Sequence, residues 1–263
     1  RRLKIIDLSD KAAQPMVDAE LGLAVVFNGC LYNYAELRRE LRGAGYRFTS
    51  TSDTEVLMKA FHRWGPRCVE HFKGMFAFAV YERATGRLVL GRDRLGIKPL
   101  YVAEDGTRLR FASSLPALLA AGGVDTGIDP VALHHYMTFH SLVPGERTIL
   151  AGVRKLPAAT VRVIEPDGAS ADHRYWDPPH TRAALPEAAG PTAAEWREAI
   201  LDALRAAVRR RMVADVPVGV LLSGGLDSSL IVALLAEEEP EPPVTFSIGF
   251  EAAGGERGDE FAY

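Results

Sequence analysis

The sequence predicts an α+β region followed by an α/β region, and three observations along the chain lead to this assignment. Residues 1–177 alternate short β-type segments with turn residues, which is typical of strands joined by tight connections. Residues 178–192 are rich in Pro and Ala and lack periodicity, as a linker would be. Residues 193–263 show strand, glycine loop, helix and strand in succession, the order of a βαβ unit with a parallel sheet.

Two helices and a hairpin are predicted within residues 1–177. The helical segments place apolar residues on one face, and the strand segments are apolar and bounded by a turn. They are Tyr34–Arg42 and Asp53–Trp64 for the helices, and Met75–Tyr81 and Leu88–Arg92 for the strands. Strands flanked by helices indicate a layered α+β architecture.

A tight turn is predicted at Asn28-Gly29. The apolar run Leu21–Phe27 stops at this dipeptide, and Asn-Gly favours the backbone conformations of hairpin turns. On its own, the dipeptide is therefore more typical of a turn than of a functional site.

Capping and periodicity define the elements after residue 191. Thr192 is a predicted N-cap, and Glu195 three residues later completes a capping box. The helix that follows ends in a run of arginines, which suits its dipole. Val216–Leu222 is predicted as a buried parallel strand, Leu230–Glu238 as a helix and Val244–Phe250 as a second strand.

Composition and charge exclude several classes of protein. The 263-residue chain is 48% apolar and 25% charged with a net charge of -3, so no basic field indicates a nucleic-acid partner. No apolar run approaches the ~20 residues that a membrane span needs. Two cysteines give no disulfide framework and fit a reducing compartment, so we expect a soluble cytoplasmic protein. The sequence opens at Arg1 and closes at Tyr263 within a predicted helix start, so we expect a piece of a longer chain.

The segment SGGLDSS carries the strongest functional signal. Its members are Ser223, Gly224, Gly225, Leu226, Asp227, Ser228 and Ser229. The two glycines bring backbone amides close to a ligand, and Ser228 and Ser229 are expected to begin the helix, whose positive dipole end favours a phosphate chain. Asp227 beside phosphates requires a cation, for which Mg²⁺ is the natural candidate.

Other phosphate loops do not match this segment. No Gly-Lys-Ser/Thr follows the glycines, as a Walker A loop requires, and the G-x-G-x-x-G spacing of dinucleotide folds is absent from the sequence. The alternative is a solvent-exposed Ser/Gly turn with a capping Asp, but the flanking strand and helix favour the phosphate loop. The loop resembles that of the ATP pyrophosphatases, which activate a carboxylate by adenylylation.

The run VPVGVLLSGGLDSS resembles that of the asparagine synthetases, and earlier segments resemble the same family in order. They are 2–8 (RLKIIDL), 27–33 (FNGCLYN), 52–55 (SDTE), 74–78 (GMFAF), 91–101 (GRDRLGIKPLY), 156–157 (LP) and 175–176 (YW). The resemblance covers essentially the whole chain. It implies an N-terminal-nucleophile glutaminase, an αββα sandwich, followed by the first part of an ATP-pyrophosphatase domain of the adenine nucleotide α-hydrolase type.

The resemblance implies a glutamine site in residues 1–177. Arg2 would pair with the α-carboxylate through its guanidinium fork, and Asp53 would bind the α-ammonium group. Asn28 and the Gly29 amide would form the oxyanion hole, and Ile5 would add a backbone contact. Taken alone, Arg2 and Asp53 are more typical of exposed ion pairs, but their register with the other motifs favours the functional interpretation.

The resemblance also implies how ATP binds. Residues 223–229 would hold the phosphates with Asp227 as a ligand of Mg²⁺, while the Leu221 backbone and Ile248 would flank the adenine. ATP would adenylylate an acceptor carboxylate, and ammonia from glutamine would displace AMP. The implied partners are glutamine, ATP and the acceptor, with no nucleic acid or membrane, and a homodimer is left open. An acidic loop after Tyr263 would complete the metal and acceptor sites.

The two cysteines are not the expected nucleophile. In the family that this chain resembles, the nucleophile is a cysteine at the mature N-terminus, whose own amine is the general base, so it would precede Arg1. Cys68 is expected to be a small packed residue. Cys30 occupies the position of the family's usual glutamate, and a structural thiol is favoured there over a reactive one.

Some motifs point to one branch of the family. NGCLYN, the segment 131–140 and the segments 247–250 and 254–261 resemble the N-acetylglutaminylglutamine amidotransferases, so the acceptor is either that dipeptide or aspartate. Ser114 replaces a glutamate that is common in the family, with no evident consequence. A metal site at His134, His135 and His140 is weighed against ordinary core or surface histidines, and the latter are favoured.

Two further functions stay open. One is an ATP-dependent synthetase without glutaminase activity, like the β-lactam synthetases, and the other is a non-catalytic fragment that binds only nucleotide or a partner. The joint presence of Arg2, Asn28 and Asp53 favours glutamine hydrolysis over both.

Overall fold

The computed structural model describes residues 4–140, 143–178, 191–238 and 241–249. The chain divides into two compact units, Arg1–Pro178 and Pro179–Tyr263. Most of the predicted linker, 178–192, lies outside the described residues, so its assignment as a linker stays a prediction. Among the described helices, none combines the length and the apolar character that crossing a bilayer requires.

A six-stranded antiparallel sheet forms the centre of the first unit. Its strands are β1 (Met16–Asp18), β2 (Leu23–Leu31), β3 (Gly74–Glu82), β4 (Arg87–Arg92), β8 (Thr160–Ile164) and β9 (Ser170–Arg174). They are hydrogen-bonded in the order β1-β2-β3-β4-β8-β9. The predicted hairpin is confirmed, since β3 and β4 pair directly on either side of the turn.

A smaller sheet and four helices complete the described part of the first unit. The sheet contains β5 (Tyr101–Glu104), β6 (Leu109–Ala112) and β7 (Arg154–Lys155) in the order β6-β5-β7. The helices are α1 (Tyr34–Gly43), α2 (Asp53–Trp64), α3 (Leu115–Ala120) and α4 (Pro130–Thr138), with short 3₁₀ turns at Asp10–Ala12 and Gly65–His71. Both predicted helices are confirmed, and α2 has the predicted bounds.

The alternation of side chains along the strands builds four layers. On β2, Val25 and Phe27 pack against α1 and α2, whereas Val26 faces the smaller sheet. On β5, Val102 returns that contact, while Ala103 packs on the opposite face with Leu118 of α3. Because successive strand residues face opposite sides, each sheet contributes to two hydrophobic clusters. The result is the predicted αββα sandwich.

The strand β2 continues through Asn28-Gly29, so the predicted tight turn is wrong. Gly29 lies opposite Phe76 of β3. A Cβ on Gly29 would lie 2.2 Å from the Met75 carbonyl oxygen, so the glycine permits a close approach of two strands rather than a reversal of the chain. Pairing over the whole length of β3 outweighs the local turn preference of the dipeptide.

The second unit contains the predicted α/β arrangement. Its elements are α5 (Ala193–Arg211), β10 (Gly219–Leu221), α6 (Leu226–Glu238) and β11 (Val244–Phe246). The two strands are parallel. The predicted capping box is confirmed, with Thr192 and Glu195 exchanging hydrogen bonds. Val208, Leu234 and Leu235 form a small core between α5 and α6, onto which Val220 of β10 packs.

Three predictions for this unit need correction. The strands are shorter than predicted, and α6 begins at Leu226 rather than at the serines 228 and 229. The predicted burial of the first strand is also wrong, because Leu221 is 68% exposed and Phe246 of the neighbouring strand is 57% exposed. Among the described residues, α5 and α6 cover only the sheet face that carries Val220, which leaves these side chains uncovered.

Candidate active site

A cavity of about 400 Å³ in the first unit brings together most of the predicted glutamine-binding residues. Ile5, Asn28, Gly29 and Asp53 all line it. Arg2 lies outside the described residues, so its role in binding the α-carboxylate stays a prediction. Three separate chain segments therefore meet at one concave site, which is the default location for a ligand.

The cavity borders an edge of β2 that no described strand covers. The short β1 pairs with β2 only as far as Val25. Beyond it the Phe27 amide donates to Gln14 Oε1 at 2.8 Å, and the Leu31 amide donates to Asp53 Oδ2 at 3.1 Å. Backbone amides alternate in direction along an antiparallel strand, so the Gly29 amide, midway between these two, points to the same edge.

The Gly29 amide and the Asn28 side chain are the two predicted oxyanion donors. No described side chain or loop carbonyl accepts a hydrogen bond from the Gly29 amide. The Asn28 carboxamide likewise forms no hydrogen bond with any described residue, although it lines the same cavity. Two donors held on a rigid strand, with no acceptor among the described residues, can receive a negatively charged oxygen of a ligand.

Asp53 carries the negative charge of this cavity at the first residue of α2. Ser52 caps the helix, accepting a hydrogen bond from the Thr54 amide at 3.0 Å. The carboxylate is 4% exposed and lies at the positive end of the helix dipole, where negative charge is stabilised. A buried carboxylate at the wall of a cavity can bind an ammonium group of a ligand.

Two buried charges hold the segment 49–52 that leads into α2. Glu55 accepts hydrogen bonds from the amides of Thr49 and Ser50 at 2.9 and 2.7 Å. Arg38 donates to the carbonyls of Ser50 and Ser52 at 2.7 and 2.9 Å. Burial by itself would raise the pKa of Glu55, but these hydrogen bonds and Lys59 outweigh it and lower the pKa. The start of α2 is thereby fixed from two sides.

Asp7 ties the N-terminal segment to the same place. Its carboxylate accepts hydrogen bonds from the Thr51 amide at 2.7 Å and from the Ser9 amide at 3.0 Å. Burial opposes ionisation, yet these hydrogen bonds prevail and lower the pKa of Asp7 to about 2. Ile5 and Ile6 line the cavity next to this anchor, so Asp7 positions one wall.

Asp93 organises the loop on the far side of the cavity. Its buried carboxylate accepts hydrogen bonds from the amides of Phe76, Ile97 and Lys98 at 3.1, 2.9 and 2.9 Å. Lys98 and Pro99 of this loop line the cavity. One acceptor therefore connects the central sheet to a loop at the site.

Both cysteines of the chain are buried thiols. Burial, reinforced by the negative charge of Asp53, raises the pKa of Cys30 to about 12, although Lys98 opposes the shift. Burial also raises the pKa of Cys68. The thiolate is the nucleophilic form of cysteine, so neither residue supplies a nucleophile near neutral pH.

The loop 223–229 of the second unit joins the end of β10 to the start of α6. Gly224 has a φ of +81°, which favours glycine. Ser223 Oγ lies 3.0 Å from Ser228 Oγ and accepts a hydrogen bond from the Gly225 amide at 3.4 Å. The loop is open to solvent at the amino end of a 13-residue helix, which is the geometry that binds phosphate groups.

The residues predicted to surround ATP lie near this loop. Leu221 ends β10 and Ile248 follows β11, and each is 68% exposed. Ser247 Oγ donates to the Leu222 carbonyl at 2.7 Å, which links the ends of the two strands. Asp227 is exposed in the first turn of α6. Over the described residues, no group of three His, Cys, Asp or Glu side chains is arranged to hold a metal ion.

Residues 1–176 match the sequence family described as the glutamine amidotransferase domain, and residues 199–263 match the family described as asparagine synthase. The chain belongs to the glutamine amidotransferase family. The resemblance to glutamine-hydrolysing asparagine synthetases that the motifs indicated is therefore confirmed.

Two curated relatives of this glutamine amidotransferase chain are named glutamine-hydrolyzing asparagine synthetases. Glutamine-hydrolyzing asparagine synthetase 3 of Bacillus subtilis is 36% identical over 95% of this chain and 41% of its own length. Synthetase 1 of the same organism is 38% identical over 97% of this chain and 39% of its own length. The chain thus spans about two fifths of these relatives. A solved glutamine phosphoribosylpyrophosphate amidotransferase of B. subtilis is 20% identical to this chain, with a TM-score of 0.45. The match covers 64% of this chain and 33% of that chain. This similarity is too distant to support any argument about the fold.

Sequence reasoning missed several residues that shape this amidotransferase cavity. Gln14 and Asp7 make their hydrogen bonds across 13 and 44 positions of the chain, and no local pattern marks such contacts. Lys98 lies inside the motif GRDRLGIKPLY, which was noted only for its resemblance. Its place in a motif that also contains Asp93 and Pro99 was the available signal.

Proposed function

We propose that the protein hydrolyses glutamine at the cavity of its first unit and uses the ammonia to amidate a carboxylate activated by ATP. The observation that carries this proposal is the meeting of Asn28, Gly29 and Asp53 at the edge of β2 beyond its pairing with β1. The membership in the glutamine amidotransferase family supports it.

Glutamine would bind with its α-ammonium and α-carboxylate groups at charged side chains and its side-chain amide at the oxyanion donors. The carboxylate of Asp53 attracts the α-ammonium group, Arg2 is proposed to hold the α-carboxylate, and the backbone of Ile5 adds a contact. The amide carbonyl then points to the Asn28 carboxamide and the Gly29 amide. These donors become more strongly bonded as the carbonyl oxygen gains negative charge, which lowers the barrier to attack.

The nucleophile in this proposal is an N-terminal cysteine located before Arg1, with its own amine as the general base. Its thiolate adds to the amide carbon, ammonia leaves with a proton from the base, and water then releases glutamate from the thioester. The buried thiols of Cys30 and Cys68 do not take this role, because burial raises the pKa of each. Two free thiols also support a location in the reducing cytoplasm.

The second unit would supply the first part of the ATP site. The amides and hydroxyls of residues 223–229 bind the phosphates, and Leu221 and Ile248 contact the adenine. Mg²⁺ commonly binds through one or two carboxylates together with phosphate oxygens, so Asp227 fits as its single ligand from this loop. The bound ion would neutralise charge on the phosphates. The acceptor carboxylate is proposed to be that of aspartate or of N-acetylglutaminylglutamine.

The central experiment measures glutamine hydrolysis by the full-length protein and by Asp53→Asn. The asparagine keeps an acceptor for the Leu31 amide but removes the charge, so KM for glutamine should rise by roughly tenfold to a hundredfold. Glu36→Gln, on the exposed face of α1, is the control. Wild-type protein that releases no glutamate from glutamine would refute the proposal and favour a synthetase without glutaminase activity. Amide formation with ATP and each acceptor in turn then decides between aspartate and the dipeptide.

A further inference from the structure

Lys98 is the only positively charged side chain among the described residues that line the cavity, where Asp53 is the only negative one. Its ammonium group forms no hydrogen bond or ion pair with any described residue, although the residue is half-buried. An amine drawn partly out of water without a protein partner is available to a charged ligand.

The backbone of Lys98 is fixed by two buried charges. Its amide donates to Asp93 Oδ2 at 2.9 Å, and its carbonyl accepts from Arg92 Nε at 2.8 Å. Neither bond involves the side chain. The ammonium group is thus presented from a fixed point of the loop, which reduces the entropy that a ligand must remove on binding.

The fixed point lies at the level of the predicted oxyanion donors. Asp93 Oδ2, which accepts from Lys98, also accepts from the Phe76 amide at 3.1 Å, and Phe76 is paired with Gly29 across the sheet. Asp53 instead bonds the amide of Leu31. Two strand residues span roughly 7 Å, so the backbone of Lys98 and the carboxylate of Asp53 are anchored at two different levels along β2.

Cys30, between these two levels, responds to both charges. Burial is the main cause of its raised pKa; Asp53 raises the pKa further, and Lys98 lowers it. The two side chains therefore act electrostatically on the same part of the cavity.

We propose that the Lys98 ammonium binds the side-chain end of the ligand, where the carbonyl oxygen of glutamine becomes an oxyanion and where the product glutamate carries its γ-carboxylate. This inference rests on the proposed glutaminase function. Lys98 adds a full positive charge to the two neutral donors, Asn28 and Gly29. Because glutamine is neutral at that end and glutamate is anionic, Lys98 discriminates between substrate and product.

The test compares L-glutamate and L-glutamine on the full-length protein: the affinity for glutamate is measured by titration calorimetry, and that for glutamine is taken from KM, because the protein turns glutamine over. In Lys98→Met, the affinity for glutamate should fall about tenfold and that for glutamine by less than about twofold. Turnover should show a matching split, with kcat about tenfold lower and KM nearly unchanged. Lys98→Arg should restore most of both effects, and Lys11→Met, an exposed lysine outside the cavity lining, should change neither.

Two outcomes would overturn the assignment of Lys98, and a third would refute the proposed function on which it rests. Equal losses for glutamine and glutamate would place Lys98 at the shared α-carboxylate instead. Unchanged glutamate affinity in Lys98→Met, with an unchanged melting temperature, would remove any role for the charge. If Lys98→Met does not fold, Lys98→Gln replaces it under the same criteria. Wild-type protein that binds neither amino acid would refute the proposed function itself, whereas binding of both with no effect of Lys98 would refute only this inference.

Discussion

The cavity of the first unit and the loop 223–229 of the second unit are both candidate ligand sites, yet they are built in opposite ways. The hydrogen bonds that shape the cavity edge join residues 13, 22 and 44 positions apart. Those within the loop join residues no more than five positions apart. The cavity residue Asp53 is buried, whereas Asp227 of the loop is exposed.

This difference shows which part of the fold determines the geometry of each site. The cavity depends on the sandwich, since its donors and charges lie on a strand, a helix start and a loop that only the complete fold brings together. The loop depends on one strand end and one helix start, which a short sequence encodes by itself. Substitutions at the cavity should therefore change both stability and activity. Substitutions in the loop should change activity with a smaller effect on stability.

The largest effect on stability is expected for Gly29→Ala. The new methyl group would lie 2.2 Å from the Met75 carbonyl oxygen, so β2 and β3 must move apart. We expect the free energy of unfolding to fall by about 3 kcal/mol or more. Gly224→Ala is the matched variant in the loop, where a positive φ should cost only about 1–2 kcal/mol. Urea denaturation measures both, and equal losses would contradict the comparison.

A smaller loss is expected for Arg38→Met. It removes the two hydrogen bonds to the carbonyls of Ser50 and Ser52 and leaves these buried acceptors without their partner, at a cost of about 2–3 kcal/mol. Because Asp53 follows directly, KM for glutamine should rise as well. Arg39→Met, on the exposed side of the same helix, serves as the control. A lower stability with an unchanged KM would show that the segment 49–52 does not position Asp53.

The contribution of Asp7 should depend on pH. Its folded-state pKa of about 2 lies below the ordinary value of 3.8, so the stabilisation is complete above that value. It is lost as the pH falls from 3.8 through about 2, because the unfolded chain takes up the proton first. Asp7→Asn should therefore weaken the decline of stability over this pH window, which acid titration followed by circular dichroism measures. Asp10→Asn, an exposed neighbour, should keep the wild-type slope.

The smallest change in stability is expected for Asp227→Ala. This exposed side chain in the first turn of α6 should alter the free energy of unfolding by less than about 0.5 kcal/mol. Pyrophosphate release should nevertheless be abolished, while glutamine hydrolysis continues. The two reactions are measured separately on the full-length protein. An equal loss of both would show that the loop has another role.

The same contrast explains which features the sequence predicts. The helix Asp53–Trp64 was located by its periodicity alone, and the loop by its own residues. The predicted turn at Asn28-Gly29 was wrong because pairing with β3 overrides the local preference of the dipeptide: Gly29 lies opposite Phe76, 47 positions later in the chain. Gln14 and Asp7 escaped notice because the residues they bond at the site, Phe27 and Thr51, are distant in the chain. Long-range contacts carry the part of the site that no local pattern encodes.

The short β1 has a consequence for how the protein meets other chains. A strand whose amides and carbonyls face outward is a template for pairing with the strand of another molecule, which leads to aggregation. At the outer edge of β2, Gln14 and Asp53 occupy the amides on either side of Gly29. The side chains that shape the site thus also protect the edge, and between them, as far as the structure describes the chain, the Gly29 amide alone is left to bond a ligand where a whole strand could otherwise add.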